Sequence, residues 1–182
     1  MAAKFTFDLE SQDRRRDLPR RLILGQQDTE TITHVALKFI AFLMFFRERL
    51  QIETNLRMDA IPFVPDLVQL DYELRPRLWV ECGECGVNKL RKLAVKIPDA
   101  EIWIVKRSRP SAEHLAEAMA KEELRPGRYQ IVALDAGMVE EFCGLLEPKN
   151  EMLWVGCEWD PANLQFDFNG LWFDAPFAVL RH

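Results

Sequence analysis

Leu78-Trp79-Val80-Glu81-Cys82-Gly83-Glu84-Cys85-Gly86 decides how the rest of the chain is read. Leu78-Trp79-Val80 is an apolar strand-forming run, Glu81 closes it with an acid, and two glycines interrupt the backbone before a helical pattern starts. Leu90, Leu93, Ala94 and Ile97 form the core stripe of that helix, and Pro98 ends it. Ile102-Trp103-Ile104-Val105 then reads as a strand buried on both faces.

Working outward toward the N-terminus, Leu67-Val68-Gln69-Leu70 is a short strand behind the breakers Pro62 and Pro65, and Gln51 to Met58 reads as another. Before these, Asp28 or Thr29 caps a long helix with Glu30 in its first turn. Its apolar positions Ile32, Val35, Phe39, Leu43, Phe46 and Leu50 follow helical spacing, while Ala36, Ile40 and Phe42 widen the buried face. From Asp28 to Lys106 the order is therefore helix, three strands, helix, strand. Lys4 to Leu9 alternates with Phe5, Phe7 and Leu9 on one face, and Arg21 to Gly25 is its hairpin partner across a solvated turn, Asp13-Arg14-Arg15-Arg16-Asp17.

Toward the C-terminus, Ser111 opens a helix through Leu115, Ala118 and Met119, Gln130 to Leu134 is a strand, and Met138 to Leu146 is a short helix. Met152 to Trp159, Leu164 to Phe168 and Leu171-Trp172-Phe173 are β, the last two joined by the turn pair Asn169-Gly170. There is no internal repeat and no Gly/Ser linker. The expected architecture is α/β, a mixed central sheet in one domain over residues 1–182, with a hairpin at 1–25, a core at 28–107 and an α/β extension at 111–182.

With 24 Lys and Arg against 29 Asp and Glu, the formal charge is −5, which argues against coating nucleic acid by bulk attraction. The most apolar stretch, Val35 to Phe46, is about a dozen residues and includes Lys38, short of the ~20 that span a bilayer. No secretory signal pattern opens the sequence. A cytoplasmic chain with no membrane partner is expected, and its cysteines, Cys82, Cys85, Cys143 and Cys157, are expected as reduced thiols.

Cys82-x-x-Cys85 has the spacing of a zinc or redox pair. A structural zinc site needs a second ligand pair, which Cys143 and Cys157 do not supply in knuckle form, and Glu84 opposes thiolate formation. Buried cysteines at a strand end are the preferred reading. The acids form a second constellation. Asp66 opens one strand and Glu81 closes the next, so adjacent strands bring two carboxylates to one sheet edge, the minimum protein contribution to a Mg²⁺ site; Glu30 is a candidate third. Lys89, Lys92 and Lys96 follow at i, i+3 and i+7 along the next helix. Spacing alone favours a plainer reading of the same residues: Glu30 complements a helix dipole, Asp66 belongs to a Pro-Asp turn, and the lysines are a solvated face.

Several segments together resemble the YaeQ family. They are Leu22-Ile23-Leu24 leading to Thr29-Glu30-Thr31, Glu48-Arg49-Leu50-Gln51, Pro65-Asp66-Leu67, Leu78 to Gly83, and Lys89-Leu90-Arg91-Lys92, in that order over roughly Lys4 to Lys106. The resemblance implies a variant PD-(D/E)XK nuclease fold with an αβββαβ core. It also implies Asp66 and Glu81 as metal ligands, Glu30 as the acid of the first core helix, and Mg²⁺ or Mn²⁺ as cofactor. The lysine usual two positions after the second acid is replaced by Gly83, so Lys92 or Lys89 from the following helix takes that role. His34 lies one turn beyond Glu30 on the same face.

The activity so implied is metal-dependent hydrolysis of a phosphodiester. Nucleic acid would approach along a local basic rim drawn from Arg14-Arg15-Arg16, Arg20-Arg21, the lysine stripe and Lys106-Arg107-x-Arg109. The other class open to the sequence is a non-catalytic scaffold that binds a protein or nucleic-acid partner. Its aromatic tail, Trp154, Trp159, Phe166, Trp172 and Phe173, would offer the contact surface, although aromatics scattered at alternating positions read mostly as core.

Overall fold

A computed structural model describes residues 3–56 and 61–182. The first half runs β1 (Lys4–Ser11), β2 (Arg21–Gly25), α1 (Ile32–Phe45), β3 (Leu50–Ile52), β4 (Leu67–Leu70), β5 (Pro76–Cys82) and α2 (Val87–Lys96). The second runs β6 (Glu101–Lys106), α3 (Arg109–Lys121), β7 (Tyr129–Ala133), α4 (Ala136–Leu145), β8 (Lys149–Trp159), β9 (Ala162–Phe168), β10 (Leu171–Pro176) and β11 (Ala178–Arg181). The fold is α/β, as expected, but its strands form two mixed sheets, where a single central sheet was expected. The order helix, three strands, helix, strand holds from α1 to β6. Contacts divide the chain into two compact units, one holding Met1–Phe46 with Leu134–Ala178, the other Arg47–Ala133 with Val179–His182. The division runs through the 28–107 stretch, between α1 and β3.

The first unit carries the sheet β10-β9-β8-β1-β2 with α1 and α4. Phe5, Phe7 and Leu9 face inward on β1, as their alternation predicts, and β1 and β2 pair antiparallel. On its other edge β1 runs parallel to β8, with Thr6 opposite Lys149, a pairing that local sequence does not announce. Phe7 stacks on Phe39 of α1 at a centroid distance of 3.8 Å, and Phe142 of α4 stacks on Phe168 at 4.0 Å. Trp154, Phe166 and Phe173 are buried, so these tail aromatics are core, whereas Trp172 is half-exposed. Asn169 and Gly170 both take left-handed φ, +50° and +83°, the paired geometry of a tight hairpin turn.

Three expectations in this unit need correction. Thr31, not Asp28 or Thr29, caps α1, accepting the His34 N–H at 3.2 Å, so Glu30 precedes the cap and is outside the first turn. The helix ends at Phe45, and Leu50 opens β3 instead of extending α1. The Asp13–Asp17 turn is not fully solvated: Asp13 is buried against Arg15, and Arg16 donates Nη1 to Leu43 O at 2.7 Å and Met44 O at 2.8 Å. Those carbonyls lie in the last turn of a helix with no basic residue of its own there, and Arg16 supplies the missing cation.

The second unit carries the sheet β11-β7-β6-β5-β4-β3 with α2 and α3. β3, β4 and β5 are antiparallel neighbours, and β5, β6 and β7 run parallel. Ile102, Ile104 and Val105 are fully buried, as expected of a strand covered on both faces. The expected strand from Gln51 to Met58 is realised only as Leu50–Ile52, and its far end at Met58 lies outside the described residues. α3 starts at Arg109, capped by Ser108, because Pro110 is tolerated in a first helical turn. Among the described residues no helix is long and apolar enough to cross a membrane.

Candidate metal and acid–base site

The pleat of β5 puts Trp79 and Glu81 on one face. Glu81 is only 4% exposed. Its Oε1 accepts the Trp79 indole N–H at 2.7 Å and lies 2.7 Å from Nζ of Lys89, which projects from the first turn of α2. Burial pushes the Glu81 carboxyl above the usual range, against the attraction of Lys89. Asp66 immediately precedes β4. Leu67 pairs with Val80, so antiparallel register carries Asp66 to the level of Glu81, and Asp66 Oδ2 accepts the Cys82 N–H at 2.7 Å. The charge of Asp66 adds to the upward push on Glu81. Two strand ends and the following helix thus bring Asp66, Glu81 and Lys89 into one neighbourhood. Lys92 points elsewhere, exposed on α2 with Lys96.

Gly83 takes a left-handed φ of +74° and donates its N–H to Val105 O at 2.9 Å, holding the turn into α2 against β6. Beyond Val105 stands Lys106, which is 4% exposed, with Nζ 3.8 Å from the solvent-exposed carboxylate of Glu84. Read in the sequence as part of a basic rim, Lys106 is instead a buried cation beside Glu84. The available signal was its place as the last residue of a strand buried on both faces. Burial, reinforced by Glu81 and Asp66 and opposed by Lys89 and Lys106, pushes the Cys85 thiol up to about 12. A thiol so placed is protonated at neutral pH and is a poor nucleophile and metal ligand. None of the four cysteines forms a disulfide.

In the first unit, Glu30 Oε1 lies 2.7 Å from Lys38 Nζ and 3.4 Å from His34 Nε2, while Oε2 accepts the Gln27 N–H at 2.9 Å. Lys38 is completely buried. His34 and Lys38 lie four residues apart on one stripe of α1, and Glu30, just before the Thr31 cap, reaches both. Sequence reasoning found Glu30 and His34 but passed over Lys38. A lysine eight residues beyond an acid on a helix apolar all round was the signal for it.

The basic residues are divided between the units. Arg15 pairs with Asp13 and Glu158, Arg16 caps α1, Arg21 pairs with Asp8 and Arg109 with Glu113, whereas Arg14, Arg20 and Arg107 are exposed.

A family model described as YaeQ protein matches residues 1–155. The chain belongs to the YaeQ family. Its fold is similar to the crystal structure of YaeQ protein from Xanthomonas axonopodis pv. citri, with a TM-score of 0.73 at 19% identity, covering 100% of this chain and 99% of that one. It is similar also to YaeQ protein from Pseudomonas syringae, with a TM-score of 0.74 at 15% identity, covering 100% and 96%. None of the curated proteins matches. The family extends past Lys106, where the resemblance read from the sequence faded, into the β8 strand that closes the first unit's sheet.

Proposed function

We propose that the second unit of this YaeQ-family chain hydrolyses phosphodiesters in nucleic acid with the help of a divalent ion, as a divergent member of the PD-(D/E)XK nuclease-like superfamily. The observation that supports this best is the delivery of Asp66 and Glu81 to one sheet end with Lys89 already 2.7 Å from Glu81. Two carboxylates are a hard-oxygen donor set suited to Mg²⁺ or Mn²⁺. Asp66 and Glu81 would hold the ion, which when bound polarises the phosphate and lowers the pKa of attacking water. Lys89 would turn from Glu81 to the phosphate, placing positive charge where negative charge develops. Lys92 remains a second candidate for that role on the exposed side of α2.

One observation favours a non-catalytic scaffold instead. Glu81 is buried, and Oε1 is already committed to Trp79 and Lys89. A structural ion pair accounts for that arrangement without a metal.

Mn²⁺ titration by calorimetry, on wild type, Asp66→Asn and Glu81→Gln, separates the readings, together with a mixed panel of single- and double-stranded DNA and RNA. The hydrolytic reading expects metal binding lost in both variants and cleavage only by wild type. No metal binding by wild type would overturn it and leave the scaffold reading in place.

A further inference from the structure

The turn between β4 and β5 is held more firmly than joining two strands requires. Asp71 Oδ1 accepts the N–H groups of Glu73 and Arg75, each at 2.9 Å, and Oδ2 accepts Nε of Arg75 and of Arg77, each at 3.0 Å. Arg49, just before β3, donates Nε to Leu70 O at 3.1 Å and Nη2 to Asp71 O at 2.9 Å. The network keeps Leu74 at φ +62°, a left-handed conformation that leucine ordinarily avoids.

What the clamp displays is apolar. Tyr72 is 82% exposed and Leu74 61% exposed. The Arg49 guanidinium lies 4.6 Å from the centre of the Tyr72 ring and bonds to two carbonyls, and no carboxylate among the described residues pairs with it. Arg75 pairs with Asp71 and Glu73 and Arg77 with Asp71, so Arg49, Arg75 and Arg77 leave the tip one positive charge above its two acids.

A rigid aromatic ring backed by one arginine and flanked by two more has the chemistry that receives an unstacked base and its phosphates. We infer that the Tyr72 tip is a stacking platform for single-stranded nucleic acid. Five residue steps from Asp66 to Asp71 set it about 17 Å along β4 from the candidate acids. The inference rests on the nucleic-acid reading above and adds to it the strand state of the partner and where the partner is gripped.

Fluorescence anisotropy in EDTA tests binding apart from cleavage, using a labelled single strand of about twelve nucleotides and the duplex of the same sequence. Tyr72→Ala is expected to weaken single-strand binding about tenfold. Tyr72→Phe, which keeps the ring, should stay near wild type, and duplex affinity should not change. Wild-type single-strand affinity in Tyr72→Ala overturns the platform, as does an equal loss on duplex. If wild type and Tyr72→Ala bind and cut the single strand alike, the platform fails while the hydrolytic reading stands. Wild type that neither binds nor cuts any nucleic acid overturns both, and leaves the tip as a protein contact.

Discussion

Lys89 Nζ lies 2.7 Å from Glu81 Oε1, an ion pair whose acid is buried and whose base keeps about a quarter of its side chain in water. Removing one partner of such a pair strands the other. Lys89→Met is expected to destabilise the fold by about 2–4 kcal/mol, somewhat below the cost for a fully buried pair, measured by urea unfolding near neutral pH. Glu81→Gln, which leaves no buried charge, should cost less.

The same pair predicts a pH dependence. Glu81 holds its proton above the ordinary carboxyl range when folded. Between its unfolded and folded values the folded chain binds the proton more tightly, so this group makes stability fall as pH rises through that window. Lys89→Met takes away the opposing charge and lifts the folded value further. The variant's deficit against wild type should grow from acid toward neutral pH, and a deficit independent of pH would contradict the ion pair.

Asp71 behaves in the opposite sense. The Arg75 backbone N–H, aided by the Arg75 side chain and the Glu73 N–H, holds its carboxyl at about 2. The group therefore adds stability above its ordinary value near 3.9, lost as pH falls from there through about 2. Amide shifts of Glu73 and Arg75 followed by NMR should titrate with a midpoint near the lower figure. Asp71→Asn keeps an acceptor for both amides and should abolish that titration.

Arg16 reaches two carbonyls of the last turn of α1. Arg16→Ala is expected to cost about 1–2 kcal/mol, seen as a lowered Tm, with Arg16→Lys recovering part of the loss because the charge at the helix end survives.

Two buried tryptophans should respond differently to phenylalanine. The Trp79 N–H donates to Glu81, whereas the buried Trp154 Nε1 has no hydrogen-bond partner among the described residues. Each substitution removes similar volume, but Trp79→Phe also takes a bond from a buried carboxylate. Trp154→Phe should be milder by about 1–3 kcal/mol in urea unfolding.

The contrast among these residues shows what local sequence encodes. Alternation at Phe5, Phe7 and Leu9, the helical stripe of α2 and the Asn169-Gly170 turn are short-range signals, and each appears in the structure where its period puts it. Asp66 and Glu81 were placed near each other by counting strands, which suffices when the strands are neighbours. The cap of α1 was placed two or three residues early, and Glu30 with it inside the helix, because Asp28, Thr29 and Thr31 are all competent caps and only the His34 N–H chooses among them. Arg16 and Lys106 were read as surface charge because composition cannot reveal which carbonyl or wall a long side chain meets. The β1–β8 pairing lay beyond local reading for the same reason.

That pairing has a temporal consequence. β1 leaves the ribosome well before its parallel neighbour β8, which begins at Lys149, more than a hundred residues later. Until then the β1–β2 hairpin has an unsatisfied edge and a phenylalanine face without its sheet, a state that favours chaperone capture and slows productive closure. Vectorial synthesis thus leaves the oldest segment waiting longest, and a circular permutant that brings β8 next to β1 should refold faster than the natural order at equal stability.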